Sequence, residues 1–198
     1  MAEPIMPFDF GVKILAVAIS AAWGMSEQGF ARRNRRAAGA ASHERDKGSF
    51  HWITASVVVG MSIAGAFGFS GVGGATNVRA WELAGAVVLL AGAAIRLHAI
   101  AVLANQFTSR VTILTEHKLV RSGLYRYVRH PSYLGQILIL VGVGALMANV
   151  VALITAPLLT TVALVWRIRV EERAMAEHFG VAFEEYSNAT RRLLPLVW

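Results

Sequence analysis

The sequence predicts an all-α, polytopic integral membrane protein. It is expected to have about five transmembrane helices, the last two forming a helical hairpin, and a cytoplasmic C-terminal helical segment. Three observations carry this. The 198 residues are 56% hydrophobic and only 16% charged, with a mean hydropathy of +0.52; soluble domains carry about 25% charged residues. Apolar stretches recur at 10–30, 51–70, 79–104, 133–147 and 150–166. The basic residues are clustered between these stretches rather than spread along the chain.

Residues 10–30 have the length of a spanning helix, which needs about 20 apolar residues, with Lys13 and Glu27 near its ends. The next stretch, 31–49, holds Arg32, Arg33, Arg35, Arg36, Arg45 and Lys47. Short basic loops beside a span act as cytoplasmic anchors, so no nucleic-acid partner is expected. The second span, 51–70, is rich in Gly, Ala and Ser, which lets helices approach closely. Residues 71–77 form a glycine-rich turn. Gly71-Val72-Gly73-Gly74 does not make a nucleotide loop, because no strand precedes it.

The third helix, 79–104, has an apolar centre and carries Arg96 and His98 in its second half. Ionisable groups at such depth face the protein interior or a cavity, while an arginine near a helix end can instead snorkel to the headgroups. Residues 133–147 and 150–166 are short for ideal spans and meet at Ala148-Asn149, as an antiparallel hairpin would. Pro157 is expected to kink the second of them. Residues 167–198 are amphipathic and charged, with Gly180 ending or bending a helix.

The charge count sets the topology. The loop 31–49 holds six Lys and Arg, 105–131 holds five, and 167–198 holds five, together sixteen of nineteen. Five crossings with the N-terminus outside bring all three regions to one side. The positive-inside rule makes that side cytoplasmic. With no cysteine in the chain, disulfides, thiolate metal sites and cysteine nucleophiles are excluded, and no metal site is expected. No cleavable leader is expected from the Met-Ala-Glu-Pro start. Oligomeric state is left open.

The chain is organised around residues 123–133, Gly-Leu-Tyr-Arg-Tyr-Val-Arg-His-Pro-Ser-Tyr. Pro131 disfavours a helix through His130 and suits the first turn of the helix that follows. The stretch is therefore an ordered polar loop over a helix N-terminus. It presents donors (Arg126, Arg129), a titratable ring (His130) and aromatic faces (Tyr125, Tyr127, Tyr133). Farther on, Arg169 and Glu172, and Arg167 and Glu171, are spaced to meet on a helix face. Surface pairing is the plain reading of those glutamates.

From about residue 105 to 195 the chain resembles the isoprenylcysteine carboxyl methyltransferase family and its phospholipid methyltransferase relatives. The residues that carry the resemblance occur in order: His117-x-Leu119-Val120, Gly123-x-Tyr125, Arg129-His130-Pro131-x-Tyr133, the Asn149 turn, Arg169-x-Glu171-Glu172, Phe179-Gly180, Tyr186 and Pro195. The resemblance implies two regions. Residues 1–104 are three transmembrane helices with a basic cytoplasmic loop. Residues 105–198 are a methyltransferase-like catalytic region of cofactor loop, helical hairpin and C-terminal helix.

The resemblance further implies S-adenosylmethionine as cofactor, held by His117, Leu119, Val120, Gly123, Tyr125, Arg129, His130, Tyr133, Glu171 and Glu172. The chemistry of these residues agrees. A glutamate suits the cofactor's ammonium, Arg129 or His130 its carboxylate, and tyrosine faces its adenine and sulfonium. Which glutamate does so stays open. The acceptor implied is lipophilic, a small molecule or a lipidated substrate reached among membrane lipids. If it is a carboxylate, it is ionised at neutral pH and needs no general base. An arginine then orients it, with Arg169 first and Arg96 second. An amine or thiol acceptor would need a base, for which His130 or a glutamate such as Glu172 is available. The competing reading is an NADPH-dependent membrane reductase of the sterol and steroid type, which has a similar Arg-His-Pro-x-Tyr region. A 2′-phosphate would favour several arginines over an adjacent carboxylate pair.

Overall fold

The computed structural model describes residues 11–18, 24–25, 28–29, 32, 43–44, 46–108, 112–113 and 118–193. Residues 11–18 are helical, as are 24–25, 28–29 and 32. The rest of the first expected span and most of the 31–49 loop lie outside the described residues. Apart from a two-residue antiparallel ladder, β1 (His43–Glu44) with β2 (Thr112–Ile113), the named elements are helical.

Five helices follow in order: α1 (Ser49–Ser70), α2 (Val78–Leu103), α3 (Pro131–Leu146), α4 (Val150–Phe179) and α5 (Val181–Ala189). Of these, α1, α2 and α4 are long and apolar enough to cross a membrane, while α3 is shorter. Leu83, Val87, Leu90 and Val58 lie exposed on the outer faces. Outward apolar side chains of this kind suit lipid rather than water.

Two antiparallel helix pairs make the bundle, α1 with α4 and α2 with α3, joined across α3 and α4. The α1–α4 pair keeps one register along its length. Asn149 meets the carbonyl of Phe67, Gly60 lies against Ala156, and Ser49 reaches Arg167. The α2–α3 pair owes its closeness to glycine. A Cβ on Gly135 would fall 2.7 Å from the Gly92 carbonyl, and one on Gly142 would fall 2.5 Å from the Leu89 nitrogen. Small residues that let backbones touch are the usual device for helix association in lipid.

The hairpin turn is built by Asn149. Its side chain caps α4 by accepting from the Val151 and Ala152 amides, and it donates to the Phe67 and Val72 carbonyls. A buried asparagine is tolerated because its donors and its acceptor are all used. Past the turn, α4 departs from the expected length. With Pro157 inside it, the helix runs beyond residue 166 to Phe179. The expected last span and the charged segment after it are one helix. Gly180, at φ 52°, ends it and starts α5.

Candidate active site

The polar loop is shaped by its own residues. A short 3-10 turn spans Gly123–Arg126. Gly123 sits at φ 59°, and a Cβ there would meet the His98 ring nitrogen at 3.0 Å. Only glycine combines that conformation with that contact easily. Pro131 opens α3, with His130 as the residue before it. The stretch 127–130 is then held by the C-terminal segment. Arg129 N donates to the Arg191 carbonyl, His130 N to that of Arg192, and Arg191 N back to Tyr127.

A cavity lies where this loop, the end of α2, the second half of α4 and α5 converge. Eight of the expected cofactor-binding residues line it: Leu119, Val120, Tyr125, Arg129, His130, Tyr133, Glu171 and Glu172. His117 lies outside the described residues. Gly123 does not line the cavity; it shapes the turn beneath Tyr125.

The two arginines expected to orient an acceptor are placed elsewhere. Arg169 is exposed and off the cavity. Two residues turn a helix by about 200°, so Arg169 points away from the face that Glu171 shares. Arg96 is buried, as an interior reading requires, but it too is off the cavity, and its Nη1 donates to the Ser132 carbonyl at 2.6 Å. Its contact supports the first turn of α3. The cavity arginine on α4 is Arg167, one turn before Glu171.

Tyr133 links those two. Its hydroxyl accepts from Arg167 Nε at 2.8 Å and donates to Glu171 Oε2 at 2.7 Å. The ring stacks on His130, 5.4 Å between centroids. Glu171 keeps reserve: its side chain is 34% exposed, and Oε1 has no partner among the described residues. Glu172 keeps none. Its Oε1 accepts from Arg129 Nε at 2.7 Å and lies 3.3 Å from His130 Nε2, and its Oε2 accepts from Arg192 at 2.9 Å. The adjacent glutamates thus differ. One has an open oxygen, and the other is the hub of a part-buried ionic cluster. Neither makes the helix-surface pair that their spacing allowed.

The Tyr125 and Tyr186 phenols in the cavity wall stay neutral. Burial, reinforced by the Glu171 charge, raises the Tyr125 phenol, and burial pushes Tyr186 up to about 12. As donors, Tyr186 bonds the Tyr125 carbonyl at 2.8 Å, tying α5 to the loop.

Sequence reasoning missed Arg167, Arg192, Asp46 and Ser49 as participants. For Arg167 the signal was present: it is four residues from Glu171, on the same helical face. For the others, the signal is a long-range contact with no local trace.

These features define a class first: a polytopic helical membrane protein whose loop, third helix and fourth helix close a cavity rich in carboxylate, guanidinium and phenol groups. Its relatives narrow that class. Residues 84–177 match the model of the isoprenylcysteine carboxyl methyltransferase (ICMT) family. Protein-S-isoprenylcysteine O-methyltransferase A of Arabidopsis thaliana is 32% identical over 115 residues, 57% of this chain and 58% of that protein. The Schizosaccharomyces pombe protein-S-isoprenylcysteine O-methyltransferase is 34% identical over 82 residues, 41% of this chain and 35% of that protein. The chain spans less than two thirds of the length of the curated relatives it matches. A solved structure of the eukaryotic intramembrane Ras methyltransferase ICMT matches with a TM-score of 0.58 at 22% identity, covering 73% of this chain and 52% of that one. That likeness shows the fold. The family legible in the motifs is the one these comparisons return.

Proposed function

We propose that the chain is a membrane-embedded methyltransferase of the isoprenylcysteine carboxyl methyltransferase family. On this reading it uses S-adenosylmethionine and methylates the carboxylate of an isoprenylcysteine-like, lipophilic acceptor. The observation that carries the reading is the cavity itself. It joins an open carboxylate (Glu171), a held guanidinium (Arg167) and phenol rings at the mouth of apolar helices.

The donor set fits the cofactor. Glu171, with one oxygen open, suits an α-ammonium. Arg129, at the cavity wall, suits an α-carboxylate. Leu119, Val120, Phe107 and Phe183 offer an apolar bed for a purine. When bound, S-adenosylmethionine supplies a methyl group on a positively charged sulfur that leaves readily. The protein's own part is alignment and exclusion of water. Arg167, fixed by Tyr133, holds the acceptor carboxylate in line. No residue takes a proton from it, since that carboxylate is already ionised. Glu172 keeps Arg129 and His130 in place rather than acting as a base.

We read residues 105–198 as the catalytic region and the basic ends of the helices as cytoplasmic, with five spans in all. Bilayer access is the corollary: the cavity wall includes apolar side chains, Leu103 at the end of α2 and Met175 on α4. A buried CH₂ contributes about 0.8 kcal/mol, so a fifteen-carbon chain outweighs the head group in affinity. The NADPH-dependent reductase finds no support among the relatives, and the carboxylates at the cavity disfavour a 2′-phosphate.

Calorimetric titration tests the reading. S-adenosylhomocysteine should bind the purified protein with one site, and NADPH should not. Binding of NADPH alone would replace the methyltransferase with the reductase.

A further inference from the structure

Asp46 lies in the connection before α1, outside the stretch that matches the family model and outside residues 105–198. It is 3% exposed. Its Oδ1 accepts from Arg167 Nη1 at 2.9 Å and from Ser49 Oγ at 2.8 Å, and its Oδ2 accepts from the Phe50 amide at 3.1 Å. Ser49 Oγ lies 3.1 Å from the same Arg167 nitrogen. One carboxylate therefore starts α1 and clamps the cavity arginine of α4.

The backbone around it is committed to this placement. Lys47 and Gly48 both have positive φ, 47° and 78°, and the Ser49 amide closes the turn onto the Asp46 carbonyl at 2.9 Å. A lysine in the left-handed region is uncommon and persists where its surroundings fix it.

The clamp leaves Arg167 with a defined free end. Nη1 is taken by Asp46 and Ser49, and Nε by Tyr133. Nη2 has no partner among the described residues, and Arg167 lines the cavity. A guanidinium held on two of its nitrogens presents the third in a fixed direction.

We propose that Asp46 is a positioning residue of the methyl-transfer site. By clamping Arg167 it aims Nη2 at the acceptor carboxylate, so the loop before the first described long helix completes the site. This rests on the methyltransferase reading above. Without the charge, Arg167 keeps its cation but loses its fixed orientation. The cost then falls on turnover rather than on cofactor affinity.

The test uses the full-length protein in detergent with S-farnesylcysteine as acceptor. Asp46→Asn keeps the shape but not the charge, and its single oxygen can accept from Ser49 or from the Phe50 amide, not from both. Turnover should fall about tenfold or more with a KM change under about threefold. S-adenosylhomocysteine affinity should stay within about twofold. Asp46→Asn added to Arg167→Gln should cost nothing beyond Arg167→Gln alone, because the effect passes through that arginine. Unchanged turnover in Asp46→Asn, or an equal further loss in the Arg167→Gln background, would overturn the proposal. If Asp46→Asn does not fold, Asp46→Glu keeps the charge one methylene longer and should show the same loss of turnover with intact S-adenosylhomocysteine binding. Wild-type protein that neither binds S-adenosylhomocysteine nor transfers methyl would overturn the methyltransferase reading itself, and this proposal with it.

Discussion

Arg167 and Glu171 stand one turn apart on the cavity face of α4, and the Tyr133 hydroxyl bonds both, at 2.8 and 2.7 Å. A cation and an anion are thereby kept apart and ordered by a neutral bridge, each with a valence left for a ligand. Arg169 is on another face. We therefore expect Arg167→Gln to lower methyl transfer per folded molecule by about a hundredfold, as loss of an aligned charged contact does. Arg169→Gln should stay within about twofold of wild type, as surface substitutions usually do. Detergent assays normalised to folded protein check this; equal losses in the two variants would contradict it.

The two glutamates should separate by readout. Glu171→Gln removes the open carboxylate and should weaken S-adenosylhomocysteine binding by about tenfold to a hundredfold, the range of a charge-assisted hydrogen bond. Glu172→Gln strips the shared partner from Arg129, Arg192 and His130. Its main effect should be on stability, about 1–3 kcal/mol, since the shared carboxylate of a part-buried ionic cluster loses its charge. Paired calorimetry and thermal unfolding distinguish the two outcomes.

Much of this was legible in sequence. Pro131 announces the start of α3, Gly71–Gly74 the turn between α1 and α2, Asn149 the hairpin, and Gly180 the end of α4, because each acts through local backbone geometry. The loop residues around His130 were legible for the same reason. The linear motif points to Arg169, whereas the helical face shared with Glu171 points to Arg167. The continuity of α4 is hidden because composition changes at Arg167 while helix propensity does not. Asp46 and Arg192 act across the fold, through contacts that no local pattern records.

The α2–α3 seam depends on Gly135. Its missing Cβ would sit 2.7 Å from the Gly92 carbonyl and from Arg96 Cβ. Gly135→Ala should destabilise the protein by about 1–3 kcal/mol through overpacking. It should also disturb Arg96 and the first turn of α3. A drop in melting temperature checks this, and an unchanged one would mean that the seam is looser than these distances.

Topology is open to direct labelling, since the chain has no cysteine. Thr76 and Asn188 are both exposed, at opposite ends of the bundle. In intact cells an impermeant thiol reagent should label Thr76→Cys and spare Asn188→Cys. The reverse pattern would place the cavity end outside the cytoplasm.

Transfer of radiolabelled methyl from S-adenosylmethionine to S-farnesylcysteine, set beside a short-chain, water-soluble analogue, tests the central claim most directly. The account predicts label in an ester of the farnesylated acceptor, with turnover rising steeply with chain length. No transferred label, or equal turnover of the short and long acceptors, would contradict it.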